Sequence, residues 1–283
     1  MRSMLALLAV LSVVGIGCGT GAMNVPSGTA SAAVSPVVQG SDDDADDNWS
    51  DGNFTERDEF TKTVDLAPGS QVEVASINGA VTIGTSNSTS AEIHVVRTAR
   101  RKEDLQYHKV LIDQAGGRLS IHGENDRGHR TPEVRQIVEV RMPRNVDLSV
   151  HGINGKVGVG EIEGQIRLTG INGAVDVAHA QTIQQLSGIN GRVTVGVTRL
   201  DETGLNMSGI NGKVVLRFAE QVNANISVSG INGHVFTDVG NLTIEGKMSP
   251  SNFRGRIGSG GPMISVSGVN GNVNLVNENS PEM

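Results

Sequence analysis

The stretch from Ser149 to Val177 contains one phrase twice, as Gly152-Ile153-Asn154-Gly155-Lys156-Val157 and as Gly170-Ile171-Asn172-Gly173-Ala174-Val175. Seven copies occur in the chain, and their asparagines are Asn78, Asn154, Asn172, Asn190, Asn211, Asn232 and Asn270. From Asn154 onward the steps between copies are 18, 18, 21, 21 and 38 residues, so the last step predicts two coils, one of them without the phrase. A period near twenty residues is typical of repeat arrays, in which no repeat buries its apolar face alone.

Apolar residues recur at five fixed positions around each asparagine: six, four and one residue before it, and three and five after it. In the copy at Asn172 they are Ile166, Leu168, Ile171, Val175 and Val177, and across the seven copies only Gln184 and Thr237 are polar exceptions. The two-residue spacing on each side predicts two strands with one buried face. The odd step across the intervening glycine predicts a corner there.

Two architectures could use this corner. In a meander each Asn-Gly would be a hairpin turn, for which Asn-Gly is the strongest short signal. In a β-solenoid each copy would be one coil, and its strands would pair with those of the next coil about 4.8 Å away. The repeated isoleucine and asparagine favour the solenoid, since identical residues would then stack, and the asparagine amides could bond from coil to coil at a corner that water reaches poorly. We therefore predict an all-β, right-handed β-solenoid with about 18–21 residues per coil.

The N-terminus has the pattern of a targeting signal, with Arg2 followed by an apolar run from Leu5 to Ile16. The run is too short to span a bilayer. It is followed by Cys18, the chain's one cysteine, which has no partner for a disulfide and no metal-site spacing. Gly15-Ile16-Gly17-Cys18 resembles a bacterial lipoprotein signal, although Gly15 stands where such signals usually carry leucine. The resemblance implies a lipid on Cys18, and the alternative is a plain secretory signal.

The chain is acidic, with 23 basic and 30 acidic residues, and loss of the signal would remove one more positive charge. This balance argues against nucleic acid as a partner. Residues 19–53 are rich in glycine, serine, alanine and aspartate, which predicts a tether that cannot bury enough apolar surface to fold. Its run from Ser41 to Asp47 lacks the turn glycine and closing glutamate of a calcium loop, so we predict no metal there.

The predicted organisation is a signal peptide at 1–17, a tether at 18–60, a divergent β region at 61–150, regular solenoid repeats at 151–276 and a tail at 277–283. Within the divergent region the charged stretch from Ala99 to Val110 is the one segment that favours a helix, because Leu105 and its neighbours give it a weakly apolar face. The 76 residues between Asn78 and Asn154 would equal about four coils, but their irregular pattern indicates a sheet-like part.

The segment Val138-Glu139-Val140-Arg141-Met142-Pro143-Arg144-Asn145-Val146-Asp147-Leu148 has a strand, a proline turn and a Val-Asp-Leu entry to the first regular coil. Together with the repeats and with Arg254-Gly255-Arg256-Ile257-Gly258-Ser259-Gly260-Gly261, it resembles the bacterial "putative adhesin" family of β-strand-repeat domains of unknown function, related to the Gly-Ile-Asn adhesin head domains. The resemblance covers about Phe60 to Val276. It implies a β-solenoid in the cell envelope and no established chemistry.

Motifs for catalysis, phosphate binding and zinc are absent from the sequence. Gly258-Ser259-Gly260-Gly261 has no helix after it, and no two of the seven histidines have the spacing of a helical metal site. Some parallel β-helices cleave polysaccharides, but such sites need aromatic sugar subsites, and aromatic residues make up 2% of this chain. We therefore predict no enzyme activity, no cofactor and no metal.

One outward row of residues stands two places after each asparagine: Ala80, Lys156, Ala174, Arg192, Lys213, His234 and Asn272. In a solenoid these residues would lie about 5 Å apart along one line. Lys156, Arg192, Lys213 and His234 could then bind an anionic polymer such as an acidic glycan. The alternative is a solvated face whose charges deter aggregation.

These observations predict a non-catalytic envelope lipoprotein that is anchored to the membrane by its N-terminal lipid, in the outer membrane where the cell has one. An adhesin-like domain would bind a glycan or protein ligand. The alternative is a structural or signalling scaffold, in which open solenoid ends could stack into homo-oligomers or the domain could report envelope state to a membrane partner. A glycan-active enzyme is the least favoured class.

Overall fold

The structure is a computed structural model of the protein, and it describes residues 54–126, 134–249 and 252–280. Twenty strands account for most of them. In chain order these are β1 (Glu56–Asp65), β2 (Ser70–Ala75), β3 (Gly79–Ser86), β4 (Ser90–Ala99), β5 (His108–Ala115), β6 (Arg118–Asn125), β7 (Val134–Pro143), β8 (Val146–Ile153), β9 (Val157–Val159), β10 (Ile162–Asn172), β11 (Val175–Asn190), β12 (Val193–Val197), β13 (Leu205–Asn211), β14 (Val214–Phe218), β15 (Ala224–Ser229), β16 (Val235–Thr237), β17 (Leu242–Ser249), β18 (Asn252–Ile257), β19 (Met263–Asn270) and β20 (Val273–Asn277). The prediction of an all-β chain is confirmed, while the right-handed β-solenoid stays a prediction.

The strands form two hydrogen-bonded stacks, one on each side of the asparagine corners. The entry stack contains the strands that lead into the corners, with β5, β6, β18 and β17 added at its ends, in the order β5-β6-β2-β8-β10-β11-β13-β19-β15-β18-β17. The exit stack contains the strands that leave the corners, with β1, β4 and β7 added at one end, in the order β1-β4-β7-β3-β9-β11-β12-β14-β20-β16. The long strand β11 belongs to both stacks, because its first residues pair with β9 and its last with β13.

Pairing between neighbouring repeats is parallel, as a solenoid requires and a meander does not. Ile171 on β10 lies opposite Ile153 on β8 and Ile189 on β11, and Val175 on β11 lies opposite Val157 on β9. The five repeated apolar side chains of this coil are all at most 1% exposed. They form one continuous core between the two stacks, so each coil buries its apolar face against the coils on either side.

The last repeat does not follow the previous one in space. The coil with Asn270 lies between the coils with Asn211 and Asn232, because β19 pairs with both β13 and β15. The prediction of an extra coil in the 38-residue step is therefore wrong. After β15 and β16 the chain forms the antiparallel pair β17–β18, which covers the outer edge of β15, and the chain then returns to insert its final coil.

The coils with Asn78 and Asn154 are also direct neighbours, since β2 pairs with β8 and β3 with β9. The residues between them form antiparallel strands at the N-terminal end of both stacks, as β4 on β7 and β5 on β6. This arrangement replaces the four coils that the spacing alone would allow. The first strand begins at Glu56, inside the predicted tether of residues 18–60.

The predicted helix at Ala99 to Val110 is wrong: the structure has a single 3₁₀ turn at Lys102–Gln106, and no α-helix among the described residues. Of its five residues only Asp104 is buried, so the segment has no apolar face to hold against the strands. Arg97 instead holds the turn in place, because its Nη1 donates to the carbonyl oxygens of Leu105 and His108 at 3.0 and 2.8 Å.

Candidate functional site

Each asparagine corner begins with a residue in the left-handed backbone conformation, two places before the asparagine. In six copies it is a glycine with φ between 60° and 65°: Gly152, Gly170, Gly188, Gly209, Gly230 and Gly268. The copy at Asn78 has Ser76 there, with φ of 58°. This single αL residue reverses the side-chain alternation, so that the isoleucine after it (valine in the copy at Asn270) points into the core and the asparagine points outward.

The asparagine side chains form a continuous hydrogen-bonded ladder through all seven copies. The Nδ2 of each asparagine donates to the Oδ1 of the next at 2.7 or 2.8 Å, in the order Asn232, Asn270, Asn211, Asn190, Asn172, Asn154 and Asn78. At the N-terminal end the Nδ2 of Asn78 donates to the carbonyl oxygen of Val134 at 2.9 Å. The ladder therefore joins every coil to its spatial neighbour.

The sequence led us to expect that water reaches the asparagine corners poorly, but most of the ladder is exposed to solvent. Asn78 is half-buried, and the other six asparagines are exposed. Water can compete for exposed amides, so each bond contributes at the low end of the usual range for hydrogen bonds. The ladder therefore forms a line of exposed amide groups, and the row of residues two places after each asparagine lies next to it.

We expect Asn172→Ala to destabilise the protein by about 1–2 kcal/mol, because Asn172 donates one ladder bond and accepts another, each worth about 0.5–1.5 kcal/mol. Asn232 is the matched control, since it makes only the terminal bond to Asn270. Asn232→Ala should cost about half as much. Urea unfolding midpoints measure both losses, and equal losses at the two positions would show that the ladder is not what the substitution removes.

The row two places after each asparagine lies beside the ladder, where the exit strands begin. Backbone hydrogen bonds between neighbouring coils give the order of the row. In each bond the amide of the residue that follows one row member donates to the carbonyl oxygen of the next row member, at 2.8 or 2.9 Å. The bonds are Val81 to Lys156, Val157 to Ala174, Val175 to Arg192, Val193 to Lys213, Val214 to Asn272 and Val273 to His234. The row therefore reads Ala80, Lys156, Ala174, Arg192, Lys213, Asn272 and His234.

This order corrects the sequence expectation at one end, since Asn272 separates His234 from Lys213. Lys156 and His234 are exposed, whereas Arg192 and Lys213 are half-buried. At the strand spacing of about 4.8 Å, Lys156 and Arg192 are about 10 Å apart along the row and Arg192 and Lys213 about 5 Å apart. The structure thus brings three fixed positive charges into one line on an acidic protein, with His234 at the far end.

A second polar cluster, not found from the sequence, lies on the outer face of the exit stack at its N-terminal end. Nε2 of His94 on β4 is 2.8 Å from a carboxylate oxygen of Glu59 on β1, and its Nδ1 is 3.4 Å from one of Glu139 on β7. Arg57 also bonds Glu59, at 2.8 Å. Antiparallel pairing of β1, β4 and β7 brings these residues together, and nothing in their sequence spacing indicates that pairing.

The two carboxylates raise the pKa of His94 above its ordinary value of 6.5, chiefly through the hydrogen bond to Glu59 and next through that to Glu139. The same bond from His94, followed by the one from Arg57, lowers the pKa of Glu59 below 4.5. Both ring nitrogens can donate only when the imidazole is protonated. The cluster therefore links the first strand to β4 and β7 most strongly when His94 is charged and Glu59 is ionised.

We expect the stabilising effect of His94 to depend on pH. A raised histidine pKa gives stability that is complete below pH 6.5 and is lost as the pH rises through the folded-state pKa, while the lowered pKa of Glu59 gives stability that is lost on acidification below pH 4.5. The difference in urea midpoint between the wild type and His94→Gln should be largest between pH 4.5 and 6.5 and should shrink at pH 8–9. His122→Gln, on β6 outside the cluster, is the control. A difference that is constant across this range would contradict the linkage.

The described residues contain no group of three histidine, cysteine, aspartate or glutamate side chains that could hold a metal ion. The other described histidines are dispersed: His151 lies 2.9 Å from Glu73, and His108 is buried at the start of β5. No helix in the described ranges is long and apolar enough to cross a bilayer. Cys18 lies outside the described residues, so the predicted lipidation site has no structural account.

Three solved structures give the comparison with known folds. They are a "putative cell adhesion protein" from Clostridium sporogenes (8% identity, 78% of this chain and 100% of that chain covered, TM-score 0.41), a "putative lipid binding protein" from Parabacteroides distasonis (13%, 77% and 96%, 0.31) and a "putative adhesin" from Parabacteroides merdae (13%, 77% and 95%, 0.26). At these TM-scores and identities the likenesses carry no argument about fold or function. No family model and no curated protein matches the chain.

Proposed function

We propose that this chain is a non-catalytic, adhesin-like binding protein of the cell envelope, built on a right-handed β-solenoid and anchored by a lipid on Cys18. The row of Lys156, Arg192 and Lys213 would bind an anionic polymer such as an acidic glycan. The proposal is supported by the alignment of these three residues on successive or alternate coils beside the asparagine ladder.

The geometry of the row suits a polymer better than a small ligand. Its charges lie along a line about 14 Å long from Lys156 to Lys213, at the spacing set by the strands. An extended acidic chain that lies across the strands could place successive carboxylates or sulfates opposite these residues, while the exposed ladder amides beside them could bond to its hydroxyl groups. Because the contacts are near the surface, binding should weaken as salt increases.

The test replaces Lys156, Arg192 and Lys213 together with serine and measures binding to polygalacturonate. We expect at least a tenfold loss of affinity in the variant and a steep salt dependence in the wild type. A matched control replaces three exposed basic residues away from the row, Lys102, Lys109 and Arg199, which changes the net charge by the same amount. Equal loss in both variants would indicate a net-charge effect, and no loss in the row variant would rule out the row as the binding surface.

The anchor has its own test, because an acylated cysteine fixes the protein to a membrane and a plain signal does not. Cys18→Ser should move the protein from the membrane fraction to the soluble fraction in its native cell. The mass of the mature N-terminal peptide should show attached acyl chains in the wild type. Equal fractionation of the two forms, with no lipid mass, would contradict the proposed anchor and would leave the binding row unaffected.

The scaffold alternative depended on open ends that could stack into polymers. Three of the four stack ends carry strands that belong to no asparagine repeat, namely β1, β5 and β17, so a second copy would not find a matching asparagine corner to stack on there. This arrangement favours the binding module over an end-to-end polymer. A signalling scaffold would require a membrane partner, for which the described residues give no specific argument.

A further inference from the structure

The fourth stack end differs from the other three. The exit stack ends at β16, a strand of three residues that pairs in parallel with β20 and, within the described residues, with no other strand. The other terminal strands carry charged residues, such as Arg57 and Lys62 on β1, whereas Val235, Phe236 and Thr237 carry none. Charged side chains are a common device that keeps an edge from pairing with another chain. Among the described residues, the three of β16 itself carry no such charge.

The open edge presents specific backbone groups. The amide of Val273 donates to the carbonyl oxygen of His234 at 2.9 Å, and the amide of Asp238 donates to that of Leu275 at 2.8 Å, so the even-numbered residues face β20. Alternate residues of a parallel strand bond to opposite sides, which leaves the N–H and C=O groups of Val235 and Thr237 directed away from β20. A further strand could therefore form up to four backbone hydrogen bonds here.

Phe236 marks the same edge with exposed apolar surface. Its side chain points out of the sheet and is 47% exposed, the second most exposed of the large apolar residues that the structure describes. The imidazole of His234 lies beside it, with the ring centroids 6.1 Å apart. An exposed aromatic ring on an uncharged edge offers an anchor for an apolar side chain of an added strand.

A cleft of about 750 Å³ lies at the C-terminal ends of the exit strands. It is lined by the ends of β14 and β20 and by the segments that follow β12, β14, β16 and β20, and it includes Phe218, Glu220, Asn241 and Glu278. Asp238, next to β16, ties the walls together by accepting bonds from Nδ2 of Asn277 and Oγ of Ser280 at 2.9 and 3.1 Å. The lining has two carboxylates and no lysine or arginine, so a positive group fits it best.

We propose that β16 and this cleft form a docking site for an extended peptide segment of a partner protein. The segment adds a strand to β16, packs an apolar side chain on Phe236 and places a lysine or arginine in the cleft near Glu220 and Glu278. A second copy of this chain is a poorer occupant, because a three-residue edge cannot supply the roughly 1,200–2,000 Å² that stable interfaces bury. The site adjoins His234 at the end of the row, but it includes none of Lys156, Arg192 and Lys213 and does not depend on them.

The test pans a displayed library of random twelve-residue peptides on the full mature protein. We expect enrichment of peptides that alternate apolar and β-branched residues and carry lysine or arginine near one end. A synthetic copy of the most enriched peptide should lose at least tenfold in affinity with Thr237→Pro, which removes the outward N–H but spares the bonds to β20. Phe236→Ser and the double change Glu220→Gln, Glu278→Gln should each weaken binding about fivefold or more.

Thr237→Ala is the control, because it keeps the outward N–H and should bind the peptide as the wild type does. Amide hydrogen exchange should show new protection at Val235 and Thr237 when the peptide is bound. The proposal is overturned if the library yields no enriched peptide on folded protein, or if enriched peptides bind Thr237→Pro as tightly as Thr237→Ala. Binding that survives Thr237→Pro but is lost in the triple-serine row variant would place the peptide on the basic row instead.

Discussion

Gly173→Ala is expected to destabilise the protein by about 3 kcal/mol or more, and to prevent folding if the coil cannot shift. A Cβ on Gly173 would lie 2.3 Å from the carbonyl oxygen of Gly155 and 2.5 Å from its carbonyl carbon. These are backbone atoms of the adjacent coil, which cannot move away without stretching the ladder bond between Asn172 and Asn154. Overpacking of a well-fitted site commonly costs about 1–3 kcal/mol, and a clash with fixed backbone belongs at or above the upper end.

Gly158→Ala provides the matched control. Gly158 lies on β9, three residues after Gly155, and a Cβ there would meet no atom within 4 Å. We expect its urea midpoint to be close to that of the wild type, with a difference within about 0.5 kcal/mol. If Gly173→Ala also stayed within that range, the coils could not be as closely stacked at the corner as the structure shows.

The same close approach recurs from coil to coil and explains why glycine follows the asparagine in the six repeats after the first. Cβ atoms built on Gly155, Gly191, Gly212, Gly233 and Gly271 would each lie 2.2–2.4 Å from a carbonyl oxygen of the neighbouring repeat. The sequence spacing indicated a repeated turn, for which glycine's conformational freedom would be sufficient reason. The structure adds a second reason that a single repeat cannot reveal, since the contact lies between coils.

The apolar pattern predicted the core well because it reports side-chain direction, which is a local property of each strand. The exception at Gln184 shows the limit of a fixed spacing. The pairing skips this residue, so that Ile183 lies opposite Ile166 and Gln185 lies opposite Arg167. A β-bulge thus returns an isoleucine to the core and turns Gln184 outward, where its Oε1 accepts a bond from Arg167 at 2.8 Å.

The order of the coils could not be predicted, because the spacing of the repeats along the chain does not show which strand edges are free to pair with the next coil. The 38-residue step matched two periods, but β18, which precedes the last repeat in the sequence, pairs with the outer edge of β15 and occupies it. The final strands β19 and β20 then pair between coils that precede them in sequence. The His94 cluster was missed for the same reason, since it depends on antiparallel pairing among three strands that are far apart in the chain.

Ile171→Ala is expected to cost about 2–5 kcal/mol, the usual range for truncating a buried isoleucine. Ile171 is 1% exposed and lies between Ile153 and Ile189 in the parallel register, so the cavity would be lined by isoleucines of the coils on both sides. Those side chains are fixed by their own corners and can collapse into the space only in part. The loss should therefore fall in the upper half of the range.

Two further substitutions make the comparison specific. Thr169→Ala changes an outward residue of the same strand and should stay within about 0.5 kcal/mol of the wild type. Ile231→Ala removes the equivalent isoleucine of the coil at the end of the ladder, where Asn232 has a neighbouring corner on one side only, so the site can relax and the loss should be smaller than at position 171. Urea unfolding at a common m-value measures all three changes. A loss at Ile171 no larger than at Ile231 would mean that stacking between two coils adds nothing to burial, and the account of the repeat as a cooperative array would have to be abandoned.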